Sequence, residues 1–335
     1  MKNLGKIFVL AFLQVGVILA LPLFMTDAAK DAAIVPSAAV MAEVIESEPP
    51  AVEQKMRIHL LVEGVELEEY LMGVVAAEMP ASFEPEALKA QAVAARTYAM
   101  YRIASNAHDG AICSDYGCCQ AWLSEEQLRE KWNAAYDDYS AKIRAAVSDT
   151  EGQCLVYKGA AIMAAFHSSS GGKTESSEKV FGQALRYLVS VESREDPAAV
   201  PNYISTVELT ESELYSAVAA WNADAAVRVS EGALLSEAVF STSGRLVSVK
   251  LCGEDVSGSE LRSIFALRST DISWQRSENG ISFTVTGYGH GVGMSQYGAN
   301  SMAKQGSGWE EIVLHYYPGT DIVPVLTIAG NSKAL

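Results

Sequence analysis

Glu78 is the residue of this chain whose surroundings best suit acid–base chemistry. It lies in the run Val74-Val75-Ala76-Ala77-Glu78-Met79-Pro80, so a single carboxylate ends an apolar stretch beside a proline. Apolar surroundings desolvate a carboxylate and raise its pKa, as a general acid needs near neutral pH. Taken alone, a glutamate at a helix end reads as a solvated surface group, so the case rests on what accompanies it. Three further polar clusters do. Gln91, Arg96 and Tyr98 interrupt an Ala-rich helical stretch, where Arg96 can pair with a carboxylate or an anionic substrate group. The run His167-Ser168-Ser169-Ser170-Gly171-Gly172-Lys173-Thr174-Glu175 has the Gly-Lys-Thr of a phosphate loop. It has His167 where that loop needs its first glycine, and no G-x-S-x-G elbow for a serine hydrolase. A Ser/Gly loop with Ser169, Ser170 and Lys173 suits carbohydrate hydroxyls better. Finally, Gly287 to Ala299 packs five glycines around His290, Gln296 and Tyr297, a backbone that a ligand can approach closely. Val292 occupies the third glycine place of a dinucleotide fingerprint, so that reading is set aside.

The elements that must position these residues follow from period and punctuation. A strand is expected over Met56–Val62, then helices over Leu67–Met79 (stopped by Pro80) and Pro85–Ile103, with a further helical stretch in 124–150. From Gln153 onward the texture turns to strands: CLVY, AIMAAF, YLVSV, EAVFST, LVSVKL and ISFTVTGY. Helices are expected at Glu211–Trp221 and Ser257–Phe265, after the Gly-rich segment, and from Trp309 to the Tyr316-Tyr317-Pro318-Gly319 turn. Helices first and mixed strands afterwards predict an α+β fold in place of a doubly wound sheet, and the Ser/Gly loop suited to carbohydrate hydroxyls makes a glycan-binding groove the expectation for it.

The chain has 335 residues and a net charge of −16, with no basic stripe, which argues against nucleic-acid binding. Lys2 and Lys6 precede an uncharged run from Ile7 to Met25, close to the ~20 residues that span a bilayer as a helix. Lysines on the near side favour an N-terminus inside and the remainder outside. Residues 1–25 are therefore expected to be a single-pass signal anchor in the cell membrane, with the catalytic domain extracytoplasmic; a cleaved signal peptide is the alternative. Residues 26–55, rich in Ala, Glu and Pro, read as a flexible stalk, 56–325 as the folded catalytic domain and 326–335 as a tail.

Taken together, three of these stretches resemble the stage II sporulation protein D family. They are Glu78-Met79-Pro80 followed by Pro85 to Tyr98, His167 to Glu175, and Gly289 to Ala299. The resemblance runs from about residue 56 to 325. It implies a lytic transglycosylase that cleaves the β-1,4 bond between N-acetylmuramic acid and N-acetylglucosamine in peptidoglycan and leaves a 1,6-anhydro end. It places the catalytic role on Glu78 and substrate binding on Gln91, Arg96, Tyr98, Ser169, Ser170, Lys173, His290, Gln296 and Tyr297. It also implies work in forespore engulfment, on glycan strands stripped by a cell-wall amidase, beside a membrane scaffold protein. One carboxylate is enough for such a reaction. Ordinary glycosidases use two, whereas a lytic enzyme lets the sugar's own 6-hydroxyl replace water.

Some members of the family carry a Cys-x4-His-Cys zinc site. Here His108, Cys113, Cys118 and Cys119 are the corresponding candidates, with Cys118 standing where that histidine would be. A structural Zn2+ is the expectation, a Cys113–Cys119 disulfide the alternative; no organic cofactor is implied. Cys154 and Cys252 read as buried apolar residues. The rival functions are a glycan-binding module without catalysis and a serine-type cell-wall amidase using His167.

Overall fold

The computed structural model describes residues 61–62, 65–105, 112, 119–230 and 234–325. Two compact units emerge, one from residues 61–165 with 302–325 and one from 166–301.

The first unit is mainly helical. A short hairpin, Leu61–Val62 against Val65–Glu66, leads into α1 (Leu67–Glu78). Glu68 and Glu69 in its first turn complement the helix dipole. The helix stops because Met79, preceding Pro80, is held extended. Helix α2 (Pro85–Ala104) opens on a proline, whose missing N–H costs nothing in a first turn. Ala87, Ala90, Ala92, Ala94, Ala95 and Ala99 are fully buried along it. Such small side chains let neighbours close on α2 from several sides. Helix α3 (Glu125–Trp132) starts from a capping box of Ser124 and Gln127, and α4 (Tyr136–Asp149) follows after one 3-10 turn. Strand β1 (Gln153–Tyr157) then pairs antiparallel with β2 (Ala160–Ala161).

The second unit is β-rich. It opens on β3 (Phe166–His167), followed, after loops that carry one short helix at Ser177–Phe181 and a 3-10 turn at Pro197–Ala199, by β4 (Ile204–Thr210) and α5 (Glu211–Trp221), which is capped by Thr210 and Glu213. Strands β5 (Leu235–Phe240), β6 (Leu246–Leu251) and β7 (Glu254–Ser257) form one antiparallel sheet. Helix α6 (Gly258–Ile264) then leads to β8 (Ile272–Ser277) and β9 (Gly280–Thr286), which form a second sheet in the order β8-β9-β4. Strand β9 alternates as a half-buried strand must, with Ile281, Phe283 and Val285 inside. These pack with Leu214, Val218, Leu246, Leu251, Leu261 and Phe265 in one apolar core. Strand β10 (Met294–Ser295) pairs in parallel with β3, which seats the Gly-rich segment against the Ser/Gly loop. Helix α7 (Gln296–Lys304) follows. In the helical unit, α8 (Trp309–Tyr316) packs on α2, and β11 (Asp321–Pro324) pairs with β1.

The α+β class and each of the predicted helices agree with this arrangement. The strand expectations need correction. Tyr187–Val191 is no strand, because Thr174 occupies its hydrogen-bonding groups: Thr174 N donates to Val191 O, and Val191 N to Thr174 Oγ1. The AIMAAF run keeps only short strand ends, since tight turns at Ile162–Ala164 and Met163–Ala165 interrupt it. Strands β4 and β8, rich in polar residues, escaped the hydrophobic pattern. Among the described residues no helix is long and apolar enough to cross a membrane. The expected anchor, stalk and tail lie outside the described residues.

Candidate functional site

In the helical unit Glu78 is the last residue of α1 and half-buried. Its Oε1 accepts the Ala121 N–H at 3.0 Å. That donor belongs to a segment laid along α1, fastened by Leu123 N to Gly73 O at 3.3 Å and by Gln120 Nε2 to Ala95 O at 3.3 Å. Gly73 makes the approach possible: a Cβ there would lie 2.3 Å from Trp122 Nε1 and 2.6 Å from Leu123 O. On the same turn of α1 the Lys131 ammonium donates to Ala76 O at 2.9 Å. Burial pushes the Lys131 pKa down, and the negative charge of Glu78 pulls it up. The carboxylate therefore has a fixed backbone donor and a nearby cation. The segment that holds it also supplies Trp122 to an open cleft of about 220 Å³, lined by Met72, Ala76, Trp132 and Tyr136 and edged by Glu69 and Arg144.

The other candidates of this unit are placed differently. Gln91 is fully buried. Arg96 is fully buried too, and its guanidinium is a strut. Nε and Nη2 hold Glu68 at 2.8 and 2.5 Å, Nη2 also donates to Val147 O at 3.3 Å, and Nη1 donates to Gln153 O at 3.2 Å. Arg96 thus ties α2 to α1, α4 and β1. Tyr98 is half-buried, its ring 6.3 Å from that of Tyr101. Cys119 is half-buried, whereas His108, Cys113 and Cys118 lie outside the described residues. Among the described residues no group of three or more His, Cys, Asp or Glu is arranged to hold a metal.

In the β-rich unit the Ser/Gly loop and the Gly-rich segment meet through a carboxylate that sequence reasoning missed. Glu195 accepts from Ser169 Oγ, from Ser170 N at 2.6 Å and Oγ at 2.7 Å, and from Ser295 Oγ at 2.5 Å. Ser169, Ser170 and Ser295 are buried, and a buried hydroxyl requires such a partner. The excess of buried-type serines in these motifs was the signal that an acceptor must exist; its position was not. Glu175 plays the same part nearby, taking Ser176 N at 2.7 Å, Ser243 Oγ at 2.6 Å and Ser241 Oγ. Arg245, buried, donates to Ser170 O at 2.5 Å. Burial lowers its pKa, and the charges of Asp271, Glu175 and Glu195 act against that shift. Gly291 is required here, since a Cβ at its φ of 85° would lie 2.7 Å from Arg245 Cζ.

Both histidines of the motifs face inward. His167 Nδ1 donates to Val292 O at 3.2 Å, and His290 Nδ1 accepts the Val292 N–H at 3.0 Å, with the two rings 5.6 Å apart. Burial, then the neighbouring His290 and Arg245, holds the His167 pKa well below its usual value; burial, Arg262 and Arg245 push that of His290 down to about 3. Both imidazoles are neutral at physiological pH and unsuited to act as general acids. His167 Nε2 is buried without a hydrogen-bond partner, so no Ser–His dyad is assembled among the described residues. Gln296 is buried, Tyr297 half-buried and Lys173 exposed.

Residues 56–157 match the family model described as Stage II sporulation protein. The chain is 37% identical over 286 residues to Stage II sporulation protein D of Bacillus subtilis (strain 168), covering 84% of this chain and 81% of that protein. It is 39% identical over 266 residues to Stage II sporulation protein D of Bacillus amyloliquefaciens, covering 78% and 75%. It is 29% identical over 299 residues to the Amidase enhancer of Bacillus subtilis (strain 168), covering 75% of this chain and 40% of that protein.

Proposed function

Because the chain belongs to the stage II sporulation protein D family, we propose that it is a lytic transglycosylase of peptidoglycan with Glu78 as its acid and base. The observation that carries this reading is the half-buried Glu78 carboxylate, oriented by the N–H of Ala121, whose chain neighbour Trp122 lines an open cleft. Protonated Glu78 donates to the glycosidic oxygen between N-acetylmuramic acid and N-acetylglucosamine. The carboxylate formed then takes the proton of the muramic 6-hydroxyl as that oxygen attacks C1, so no water is consumed and the 1,6-anhydro end results. General acid–base help of this kind contributes ~10²–10⁴-fold, and an intramolecular nucleophile adds proximity. Trp122, Trp132 and Tyr136 offer apolar faces to sugar rings in the cleft.

The surrounding biology belongs to the same proposal. The run Ile7–Met25 anchors the protein in the membrane with the enzyme outside. The name of the amidase-enhancer relative supports an amidase as working partner, one that strips stem peptides during engulfment, with a membrane scaffold protein alongside. A structural zinc on His108, Cys113, Cys118 and Cys119 is checked by the metal content of protein purified under reducing conditions.

The deciding experiment is mass spectrometry of the products from peptide-free glycan strands. Anhydro ends from the wild-type protein, and none from Glu78→Gln, are expected. Reducing ends would replace this reading with hydrolysis, and wild-type turnover by a folded Glu78→Gln protein would remove it.

A further inference from the structure

The Gly-rich segment turns most of its side chains inward. Val292, Met294, Ser295, Gln296 and Ala299 are buried, and His290 is bonded to the backbone. Tyr288 is the exception, 46% exposed. Its backbone is pinned on both sides: Tyr288 N donates to Ser169 O at 2.9 Å, and Ser169 N to Tyr288 O at 3.0 Å. The flanking Gly287 and Gly289 have φ of 75° and 110°, and a Cβ at either would fall within 2.8 Å of Ser169 O or His167 Cβ. A rigid mount thus presents one aromatic ring to solvent.

Arg268 lies over that ring, its guanidinium carbon 4.4 Å from the centroid. It arrives from the end of α6 through Ala266, which sits in the left-handed region at φ 51°, and Leu267 N closes the turn on Arg262 O at 2.9 Å. A non-glycine residue there costs about 1 kcal/mol, and such strain clusters at functional positions. The Arg268 carbonyl accepts Gly289 N–H at 2.9 Å, which locks this turn to the Gly-rich segment. Its guanidinium reaches only Pro201 O, at 3.5 Å, and forms no ion pair among the described residues. In a chain of net charge −16 that is an unneutralised cation, half-buried and stacked. Tyr297 is held one residue along the same loop, its N–H donating to Ser168 O at 3.0 Å.

We propose that Arg268, Tyr288 and Tyr297 form a subsite for a carboxylate-bearing sugar, with Arg268 reading the charge on the glycan. The planar guanidinium suits a carboxylate bidentately, and stacking has already restricted its rotamers. The tyrosine rings supply apolar faces and hydroxyls to a pyranose. In the glycan named above, the ligand chemistry is the lactyl carboxylate of a muramic residue, which is ionised when no peptide is attached. N-acetylglucosamine has no such group. This inference rests on the glycan reading of the previous subsection.

The test uses the full-length Glu78→Gln protein in detergent, so that ligands stay uncut. Dissociation constants are measured for peptide-free strands, for the same strands with the lactyl carboxylates amidated by methylamine, and for N-acetylglucosamine oligomers of equal length. The carboxylated strands should bind roughly tenfold or more tightly than the other two. Adding Arg268→Gln should abolish that difference by bringing the carboxylated strands down to the affinity of the amidated ones, while Tyr288→Ala should weaken all three ligands. Equal binding of charged and amidated strands, which needs no variant at position 268, overturns the proposal. So does an Arg268→Gln protein that keeps the discrimination or loses all ligands alike. If Arg268→Gln fails to fold, Arg268→Lys keeps the charge and loses the fork, and must still reduce the discrimination. Discrimination without cleavage by the wild-type protein would sink the catalytic reading and leave this subsite standing.

Discussion

The helical unit and the β-rich unit use motif carboxylates in opposite ways. Glu78 ends a helix half-buried, with the Ala121 N–H on its Oε1 and a lysine close by. Glu195 and Glu175 take several serine hydroxyls and backbone N–H groups each and serve as hubs that close loops. A carboxylate that must exchange a proton with a substrate has to keep some solvent or ligand access. One that organises a loop spends its lone pairs on buried donors. The same residue type in an equally motif-rich stretch can therefore serve either chemistry or architecture, and its donors tell which. Arg96 and Arg268 repeat the contrast among cations: one is buried on Glu68, the other stacks on an exposed ring without an ion pair among the described residues.

That contrast can be broken most directly at Glu78. Glu78→Gln should lose ~10²–10⁴-fold in cleavage with an unchanged melting temperature; a large stability loss with normal turnover per folded molecule would make Glu78 another hub. Arg96→Met should behave in the reverse manner. Leaving Glu68 without its partner costs about 3–5 kcal/mol when such a pair is buried, less here because Glu68 is partly exposed. Urea titration should find that loss, and turnover per folded molecule should be spared. Glu195→Ala orphans the hydroxyls of Ser169, Ser170 and Ser295, and should destabilise by about 3 kcal/mol. Unaltered stability with weakened glycan binding would instead mean that these serines face the ligand. Gly73→Ala should cost about 1–3 kcal/mol as overpacking. It should also slow cleavage, because displacing Trp122 and Leu123 disturbs the Ala121 donor to Glu78.

The smallest effect is that of pH. The folded-state pKa of His290 is about 3 and that of His167 well below 6.5. Between those values and about 6.5 the unfolded chain binds protons that the folded chain refuses. The stabilisation is therefore complete above about pH 6.5 and is lost as pH falls, on the order of 1 kcal/mol per pH unit for a buried imidazole and less for His290, which is only half-buried. Urea midpoints at pH 7 and pH 5 should differ accordingly; equal midpoints would place both imidazoles in solvent.

The sequence by itself determined the elements whose causes are local. Pro80 stops α1 and Pro85 opens α2; Thr210 with Glu213 and Ser257 with Glu260 start α5 and α6 within a residue of where they were expected. The alternation of β9 is equally readable, and Glu78 stands out because its apolar run and its proline are adjacent to it. Partner choice was decided only by the tertiary structure. Arg96 finds Glu68 across 28 residues, Ser170 finds Glu195 across 25, and Glu175 finds Ser243 across 68. No periodicity links such positions. Each pairing exists because a buried donor must meet an acceptor and the packing of distant elements brings one within reach. That need turned Ser169 and Ser170 inward, and the same packing left Tyr288 and Arg268 facing out.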